Sequence, residues 1–546
     1  MVRSRKVSEH KIKISPLVIF TMVYETLLAL LPFALLFVLI VGLRFSTLKS
    51  AIFVWLLTVL ILLFVWKVGF NLVEAAFVKS IFLGLEIMLI IFMAVWLLEL
   101  LQASGDFAIL KTFLVNISHD ARVQVILIGF LFGSLIEGIA GFGTPAAIVA
   151  PILVSLGFSP LLAVVSALIA NSTAVSFGAA GTPILLGLNG LGLNRAILTE
   201  IAKTTALIHL VSFIVPLTLV FFVVRQEKEG KRARRFFEAL PFTLFAWLSF
   251  ILPYFLITKY TGIIELPSIF AGLVGIFVVG IAAKKGFLIP KNKFILDSDV
   301  KHHRKWEFKS RRILLSMSPY ILIVLFLLLT RLIRSWKIAF VGVDLSWNNI
   351  LGTNLSHSFL PLYTPSFYFL TGILFTLVFL RPRKKAIRES FIRALSRVKL
   401  PLIVLIFILA IVQVLLFSGE NSSGLESMPV ILAKSLVDFG GDAYVFLSPF
   451  IGVFGAFITG SNTVANILFG GLQMESAVGL GLDVAIILAL QIAGGAIGNM
   501  IAIHNVLTAN ASVGLKKKEG DVIRRTILIC LIYALLAGIV GWILLD

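Results

Sequence analysis

Two classes of residue are scarce in this sequence. A single cysteine, Cys530, excludes an intrachain disulfide, so cysteine usage leaves the redox compartment open. Charged residues make up only 14% of the chain, whereas about a quarter is usual in a soluble domain. Hydrophobic residues make up 59%. This composition excludes an ordinary soluble protein and predicts that most of the chain lies in a lipid bilayer.

Familiar sequence motifs are also missing. The chain starts without a separate basic region, apolar region and small-residue cleavage site, and its first apolar run, residues 17–43, is too long for a signal peptide. We therefore expect that run to be a retained helix. No GxxxxGK[ST] motif is present, which argues against a process driven by ATP. No enzyme-like constellation stands out, so we expect neither an enzyme nor a cofactor.

Acidic residues are outnumbered, with 27 Asp and Glu against 47 Lys and Arg and a net charge of +20. Of the basic residues, 29 lie in four short segments, 225–235, 284–312, 381–399 and 516–525. Short basic loops beside membrane spans set the orientation of the protein. We therefore expect a bilayer and no nucleic acid as partner.

Apolar runs long enough for a membrane-spanning helix of about 20 residues recur along the chain. Continuous runs lie at residues 17–43, 51–70, 80–102, 201–224, 237–257, 263–283, 313–330, 362–380, 400–417 and 522–545. Two more, 160–188 and 482–513, are predicted to be broken helices, and two segments, 122–157 and 441–478, are predicted to be re-entrant hairpins. The sequence thus predicts an all-α polytopic membrane protein with about 12 transmembrane helices plus two hairpins.

The hairpin and broken-helix predictions rest on the composition of residues 132–184. This stretch is apolar, yet it contains Glu137, many glycines, several prolines and the run Asn171-Ser172-Thr173. Glycine and proline interrupt helical hydrogen bonding and leave backbone N–H and C=O groups without partners, and hydrocarbon offers these groups no hydrogen bonds. Such backbone is therefore found at membrane depth only inside protein or along a cavity. We therefore expect this stretch to form half of a solute site.

An internal repeat has an offset of 322 residues. FGSLIEG at 132–138 returns as FGAFITG at 454–460, and the broken helices begin at 160 and 482. We predict a basic flank at 1–16, a first repeat at 17–224, an inserted helix pair and basic loop at 225–312, and a second repeat at 313–546. Five spans per repeat plus the inserted pair make the second copy enter the membrane upside down. Inverted-topology repeats are typical of secondary transporters.

The basic segments predict the orientation. With all four inside the cell, both termini lie outside, the first hairpin opens to the cytoplasm and the second to the exterior. One feature disagrees, because Arg3, Arg5, Lys6, Lys11 and Lys13 favour an inside amino terminus. We follow the four concordant loops.

The segments EGIAGFGTPAAIVAPILVSLGFSPLLAVV at 137–165 and LIANSTAVSFGAAGTPI at 168–184 closely resemble the signature of the lactate permease family. Members of that family are bacterial and archaeal transporters that import L-lactate, and often glycolate, with protons. Further landmarks follow in family order, including Glu265-Leu266-Pro267-Ser268, Thr330-Arg331-Leu332 and Thr459-Gly460-Ser461. The resemblance implies a multi-pass plasma-membrane protein, and architectural analogy makes a homodimer plausible.

The second half departs from the family pattern at two positions. The family usually reads GSDTSSN where this chain has Asn462 in place of the acid, and GGVTGKMISPQ where it has Asn499 in place of the lysine. Losing one member of a buried ion pair leaves the other charge without a partner and costs about 3–5 kcal/mol of stability. Losing both members leaves no unpaired charge and need not destabilise the protein. Our hypothesis is that Asn462 and Asn499 touch across the site.

A monocarboxylate needs hydrogen-bond donors, a place for its charge and apolar walls. Helix N-termini and glycine-rich tips supply the first two. The candidate substrate-binding residues are Gly141, Gly143, Thr144, Asn171, Ser172, Thr173, Ser461, Asn462, Thr463 and Asn499. Their alternative role is to hold helices together, which small polar residues often do in membranes.

Titratable residues inside apolar runs are candidates for proton coupling. Glu137 is the leading one, because intramembrane acids mark functional sites, and its alternative role is a structural acid bonded to its own hairpin. His504 is a second candidate, although a lone histidine is more often a packing residue. We expect Arg331 to extend to the membrane interface rather than bind a carboxylate. Glu86 and Glu99 should face the bundle interior, and the pair His302-His303 is weak support for a metal.

These observations predict a secondary active transporter that imports a small monocarboxylate with protons by alternating access. A sodium-coupled carboxylate carrier is the alternative, because Ser461-Asn462-Thr463 and Asn171-Ser172-Thr173 offer neutral oxygens suited to a hard cation. A passive anion channel is a third possibility, which saturation and counterflow would distinguish from a carrier.

Overall fold

The computed structural model describes residues 16–43, 45–106, 108, 109, 112, 116–141, 143–227, 229–296 and 310–545. The basic residues of the amino-terminal flank and the pair His302-His303 lie outside this part of the chain.

The first half of the described chain is helical. Its helices are α1 Pro16–Phe37, α2 Thr47–Ile61, α3 Phe70–Ser104, α4 Ala121–Ala140, α5 Thr144–Val154, α6 Pro160–Asn171, α7 Gly178–Leu185, α8 Arg195–Val224, α9 Arg232–Thr261 and α10 Pro267–Lys284. Wider π-type turns extend α1 over Val38–Gly42 and α2 over Leu62–Trp66. A 3₁₀ segment, Ala174–Phe177, precedes α7.

The second half is also helical, apart from one short hairpin of strands. Its helices are α11 Ser310–Leu332, α12 Arg334–Val341, α13 Pro365–Phe375, α14 Lys384–Leu416, α15 Met428–Gly440, α16 Tyr444–Thr459, α17 Asn462–Leu480, α18 Val484–Gly498, α19 Ile503–Ser512 and α20 Glu519–Leu545. The antiparallel strands β1 Leu345–Trp347 and β2 His357–Phe359 lie between α12 and α13. The sequence-based expectation of an all-α protein missed them because they lie in the polar connection, outside every apolar run.

Helix starts are set by local capping chemistry. The Ser159 hydroxyl accepts a hydrogen bond from the Leu162 backbone N–H at 3.4 Å, and Pro160 occupies the first turn of α6. Asp483 caps α18 by accepting from the Ala485 N–H at 2.7 Å. Such caps satisfy N–H groups that have no partner inside the helix. The apolar runs therefore become helices with defined ends.

Twelve helices in the described chain are long and apolar enough to cross a membrane, which confirms the predicted number. They are not the same twelve segments. Ala121–Ala140, the first arm of a predicted hairpin, has 20 residues and qualifies, whereas Pro365–Leu380 is too short. That helix is short because it begins at a proline and stops at Arg381, whose φ is +48°. Partial insertion of the hairpins and inversion of the repeats stay predictions.

The helices pack into two groups. In the first, called the frame here, α3 packs against α14, α13 and β2, α14 against α2, and α11 against α12 and α13. In the second, called the inner bundle, α16 and α17 pack against α18, α10 against α4 and α9, and α18 against α8 and α20. The frame meets the inner bundle where α14 contacts α17 and where α3 contacts α4 and α7. The candidate site lies within the inner bundle.

Candidate functional site

The first helix tip joins α4 to α5. Gly141 has φ +55° and Gly143 has φ +74°, a backbone region that glycine adopts without strain. A Cβ added to Gly143 would lie 2.6 Å from Oδ1 of Asn505, which belongs to the other predicted repeat. Two glycines thus let this tip turn sharply and approach α19 closely.

The second tip joins α16 to α17. Gly460 has φ +72°, and a Cβ on it would lie 2.8 Å from the Cβ of His504. Ser461 then caps α17 by accepting from the Val464 N–H at 3.3 Å. The N-terminus of a 19-residue helix therefore starts at this tip.

The first predicted broken helix is interrupted between Ala174 and Leu185. Ala179, Ala180 and Gly181 have φ values of +42°, +53° and +77°. The left-handed region costs about 1–2 kcal/mol for each residue with a side chain, so packing must hold this segment in place. A Cβ on Gly178 would collide with Oε1 of Glu137, and one on Gly181 would lie 2.6 Å from the Ile264 carbonyl oxygen. Glycine at both positions lets the break contact α4 and the α9–α10 connection.

The second break lies between Gly498, the last residue of α18, and Ile503, the first of α19. Both tips and both breaks meet around one narrow cavity. Its lining residues are Glu137, Gly141, Val175, Gly178, Ala179, Thr182, Pro183, Gly460, Ser461, Asn462, Thr463 and Asn499. The cavity measures about 10 Å³ for the centre of a water-sized sphere, which is room for about one water molecule. In this conformation the site is narrow, and polar side chains form part of its lining.

Glu137 is the acidic residue of this cavity. It is 2% exposed and accepts a hydrogen bond from the Asn171 side chain, while its Oε2 has no hydrogen-bond partner among the described residues. A buried carboxyl oxygen without a partner is costly unless it is protonated or meets a cation or solvent. The geometry therefore leaves one carboxyl oxygen of Glu137 available for a proton or an ion.

Direct contacts join the two halves at the cavity. Oγ1 of Thr182 and Oγ1 of Thr463 are 3.3 Å apart and share a hydrogen bond. Nearby, the Asn466 side-chain amide donates to the Pro183 carbonyl at 3.0 Å. The first break thus packs onto the N-terminal turns of α17.

Asn462 and Asn499 line the same cavity, but no hydrogen bond joins them among the described residues. The Asn462 amide donates to the Ile492 carbonyl at 3.0 Å, and its Oδ1 has no hydrogen-bond partner in the described part of the chain. Oδ1 of Asn499 accepts from the Asn505 amide at 2.5 Å. The hypothesis that these two residues touch stays a prediction, although both face one site.

Other residues predicted for the site lie outside the cavity lining. Ser172 donates to the Ile169 carbonyl of its own helix at 2.8 Å, and the Thr173 hydroxyl lies 3.3 Å from the hydroxyl of Tyr533. Thr144 and Gly143 belong to the first tip without lining the cavity, and Asn171 reaches it only through Glu137. His504 is exposed and does not line the cavity either.

Sequence reasoning missed the part of the lining that comes from the first break, in particular Val175, Gly178, Ala179, Thr182 and Pro183. A usable signal existed. Gly-Thr-Pro occurs at 143–145, in the predicted first tip, and again at 181–183. The second occurrence marked another point at which glycine and proline interrupt a helix beside a threonine hydroxyl.

A buried polar network holds the first break from behind. His209 is fully buried, with its Nε2 2.7 Å from the Ser176 hydroxyl and its Nδ1 2.7 Å from the Tyr533 hydroxyl. The Tyr254 hydroxyl donates to the Thr173 carbonyl at 3.0 Å. Side chains from α8, α9 and α20 therefore fix the 3₁₀ segment that precedes α7.

The expectation for Arg331 was wrong. Its side chain is 4% exposed and pairs with Glu265 at 2.8 Å instead of reaching the interface. It also donates to the Tyr368 hydroxyl at 3.0 Å and to the Tyr363 carbonyl at 2.7 Å, and its guanidinium stacks on the Tyr363 ring at 3.4 Å. These partners lie on distant segments of the chain, and together they offset the free-energy cost of burying the charge.

Glu265 lies between α9 and α10. Burial alone would raise the pKa of this carboxyl, but the guanidinium groups of Arg331 and Arg195 outweigh burial and leave the pKa lowered to about 2. Glu265 is therefore ionised at neutral pH.

Glu86 and Glu99 face the bundle interior, as expected, and both lie outside the cavity. Glu99 is buried between Arg393 and Arg397, at 2.7 Å from each. Glu86 is largely buried beside His357, at 3.7 Å. No group of three His, Cys, Asp or Glu side chains suited to a metal occurs within the described ranges.

Comparison with known proteins adds an independent line of observation. Residues 25–546 match the family model described as L-lactate permease. A Haemophilus influenzae protein with a provisional L-lactate permease name is 33% identical over 82% of this chain and 85% of that protein. The glycolate permease GlcA of Escherichia coli K12 is 30% identical over 94% of this chain and 95% of that protein. The Bacillus subtilis L-lactate permease is 30% identical over 83% of this chain and 85% of that protein.

Among solved structures, the Alcanivorax borkumensis YdaH transporter covers 82% of this chain and 84% of its own. The TM-score is 0.39 at 13% identity, a likeness that supports no further inference.

Proposed function

Because this chain belongs to the L-lactate permease family and is a multi-pass protein of the plasma membrane, we propose that it imports a small monocarboxylate resembling L-lactate or glycolate. The observation that carries the proposal is the cavity, lined in part by polar side chains, at the meeting point of two helix tips and two helix breaks. Relatives across nearly the whole chain are named for lactate or glycolate.

The anion binds at the start of α17. The first N–H groups of a helix have no partner within it, and the positive end of the helix dipole favours a carboxylate. Ser461, Asn462 and Thr463 stand at this helix start and line the cavity. The Thr182 hydroxyl, next to that of Thr463, supplies a donor for the substrate's own hydroxyl.

Import proceeds by alternating access. The cavity has room for about one water molecule, so the tips and breaks must separate before a six-heavy-atom carboxylate can enter. The two repeats supply equivalent openings toward the two sides of the membrane.

Glu137 carries the coupling proton. It lines the cavity, is buried, and has one carboxyl oxygen without a partner. Intramembrane acids with these properties are typical of proton relays. On the side of high proton concentration, protonation neutralises Glu137 beside the substrate anion. The proton and the anion therefore favour each other's binding.

A sodium-coupled carrier is the second candidate, and one observation favours it. Asn462 lines the same cavity, and its Oδ1, like Oε2 of Glu137, has no hydrogen-bond partner among the described residues. With the two threonine hydroxyls nearby, these oxygens are ligands of the kind that hard cations prefer.

Uptake into proteoliposomes tests both candidates. Labelled L-lactate, glycolate and pyruvate are supplied under a proton gradient without sodium, and under a sodium gradient with pH clamped and choline as control. We expect saturable accumulation of L-lactate or glycolate driven by protons. Accumulation driven only by sodium would select the second candidate. Flux without saturation or counterflow would indicate a channel.

A further inference from the structure

The ion pair between Arg331 and Glu265 joins the two helix groups. Arg331 lies in the last turn of α11 in the frame, whereas Glu265 lies in the α9–α10 connection of the inner bundle. The other ion pairs between described residues join residues within the frame, within the inner bundle or within the segment 417–443. Among these ion pairs between two described residues, the Arg331–Glu265 pair is thus the one that relative motion of the two groups would break.

Glu265 has a second partner on its own side. Its other carboxyl oxygen lies 3.4 Å from Arg195, the first residue of α8 in the inner bundle. The Arg195 side chain is 42% exposed, so it can follow the carboxylate. If the frame moves away, Glu265 keeps a cationic partner and its charge is not stranded.

Arg331 also keeps partners within the frame. Tyr363 supplies a carbonyl acceptor and a stacked ring, and Tyr368 supplies a hydroxyl. A guanidinium on aromatic faces remains stabilised when its carboxylate leaves. Both members of the pair therefore keep other partners when they separate. These partners remove most of the usual free-energy penalty for breaking a buried ion pair.

The pair lies beside the candidate site. Gly181 packs on the carbonyl oxygen of Ile264, the residue before Glu265, and Gly181 lies between Ala179 and Thr182 of the cavity lining. A displacement of the α9–α10 connection therefore acts directly on the first break.

We propose that Glu265 and Arg331 form a separable clasp between the frame and the inner bundle, which is closed in this conformation and opens once in each transport cycle. The clasp rests on the alternating access of the proposed function. It acts on the conformational equilibrium and does not bind the substrate.

Chemical cross-linking tests the clasp. In a Cys530→Ala background, Glu265→Cys and Arg331→Cys are introduced together, which removes both charges at once. A short bifunctional thiosulfonate is then added to proteoliposomes containing the purified protein. We expect the cross-link to abolish L-lactate uptake and a reducing agent to restore it. Uptake that is unchanged by a complete cross-link would overturn the proposal.

The matched control is an ion pair that does not cross between the groups. Glu99 on α3 and Arg393 on α14 both belong to the frame, at 2.7 Å. The same cross-link between Glu99→Cys and Arg393→Cys should leave uptake within about twofold of the reduced sample, since it ties together parts that move as one. Equal loss in both variants would contradict a specific clasp.

A second measurement does not depend on transport. Two exposed positions are labelled with spin labels, Tyr260→Cys in the inner bundle and Lys337→Cys in the frame. Double electron–electron resonance then measures the distance between the two labels. Glu265→Gln should add or enlarge a second distance population. An unaltered distribution would overturn the clasp whatever the transport result. If the clasp opens but no monocarboxylate is transported, the proposed substrate fails and the clasp stands.

Discussion

At the scale of single residues, Glu137 is the carboxylate that the described cavity contains. We predict that Glu137→Gln lowers pH-driven accumulation of L-lactate by about tenfold or more, because a glutamine cannot carry a proton. Counterflow of labelled L-lactate at equal pH should persist, because exchange needs no net proton movement. Paired uptake and counterflow assays measure the two effects.

The control for this variant is Glu475→Gln. Glu475 is a half-buried acid on α17 that does not line the cavity, so both activities should be kept. If Glu137→Gln still accumulates substrate against its gradient, Glu137 is a structural acid held by Asn171.

Glu265 predicts a pH dependence of stability. Its pKa is about 2 in the folded protein and 4.5 for the unperturbed side chain, so the folded state favours the ionised form. The resulting contribution to the free energy of unfolding is present above about pH 4.5 and is lost as the pH falls toward about 2. In detergent, the difference in unfolding temperature between the native protein and Glu265→Gln should shrink over that range. A difference that stays constant would show that Glu265 is not preferentially ionised by folding.

At the scale of elements, the break before α7 depends on close contacts with its neighbours. We predict that Gly178→Ala lowers uptake by about tenfold or more, because the added methyl group collides with the Glu137 carboxyl. Overpacking of this kind costs about 1–3 kcal/mol, so the protein should still fold. Uptake and thermal unfolding should be measured together.

Gly520→Ala is the matched control, because a Cβ at Gly520 meets no atom of a described residue within 4 Å. Native uptake in Gly178→Ala would show that the break and α4 adjust without functional cost. Loss of folded protein would show that this contact maintains the fold rather than the site.

At the scale of the whole molecule, the orientation predicted from the basic segments can be tested. We expect a fluorescent protein inserted at Gly230, in the segment 225–235, to fluoresce in the cytoplasm. The same protein fused after Asp546 should be dark when exported unfolded, whereas alkaline phosphatase fused there should be active. A fluorescent carboxy-terminal fusion would contradict the parity of spans on which the inverted repeats depend.

Local chemistry explains how much the sequence could predict. Apolar runs of about 20 residues, interrupted by glycine and proline, predicted the number of spans and the stretches that contain the helix tips. Gly141 and Ser461 were predicted for the site from the preferences of their own residue types, because glycine permits a tight backbone turn and serine offers a hydroxyl, and both line the cavity. Such preferences act within a few residues, so a sequence displays them.

The direction in which polar side chains face could not be predicted. Ser172 and Thr173 adjoin Asn171 in sequence, yet they bond to their own helix and to Tyr533 rather than line the cavity. In a soluble helix, polar periodicity reveals the buried face. In a membrane both lipid and protein neighbours are apolar, so that signal is lost.

Composition and motifs are enough to identify this protein as a membrane-embedded helical bundle of the lactate permease family with two glycine-rich tips. They do not reveal that Arg331 is buried against Glu265, that His209 supports the first break, or that Thr182 meets Thr463. The members of each of these pairs are far apart along the chain. These partners are brought together only when separate helices pack, and the free energy of a buried polar group depends on the partner that packing supplies.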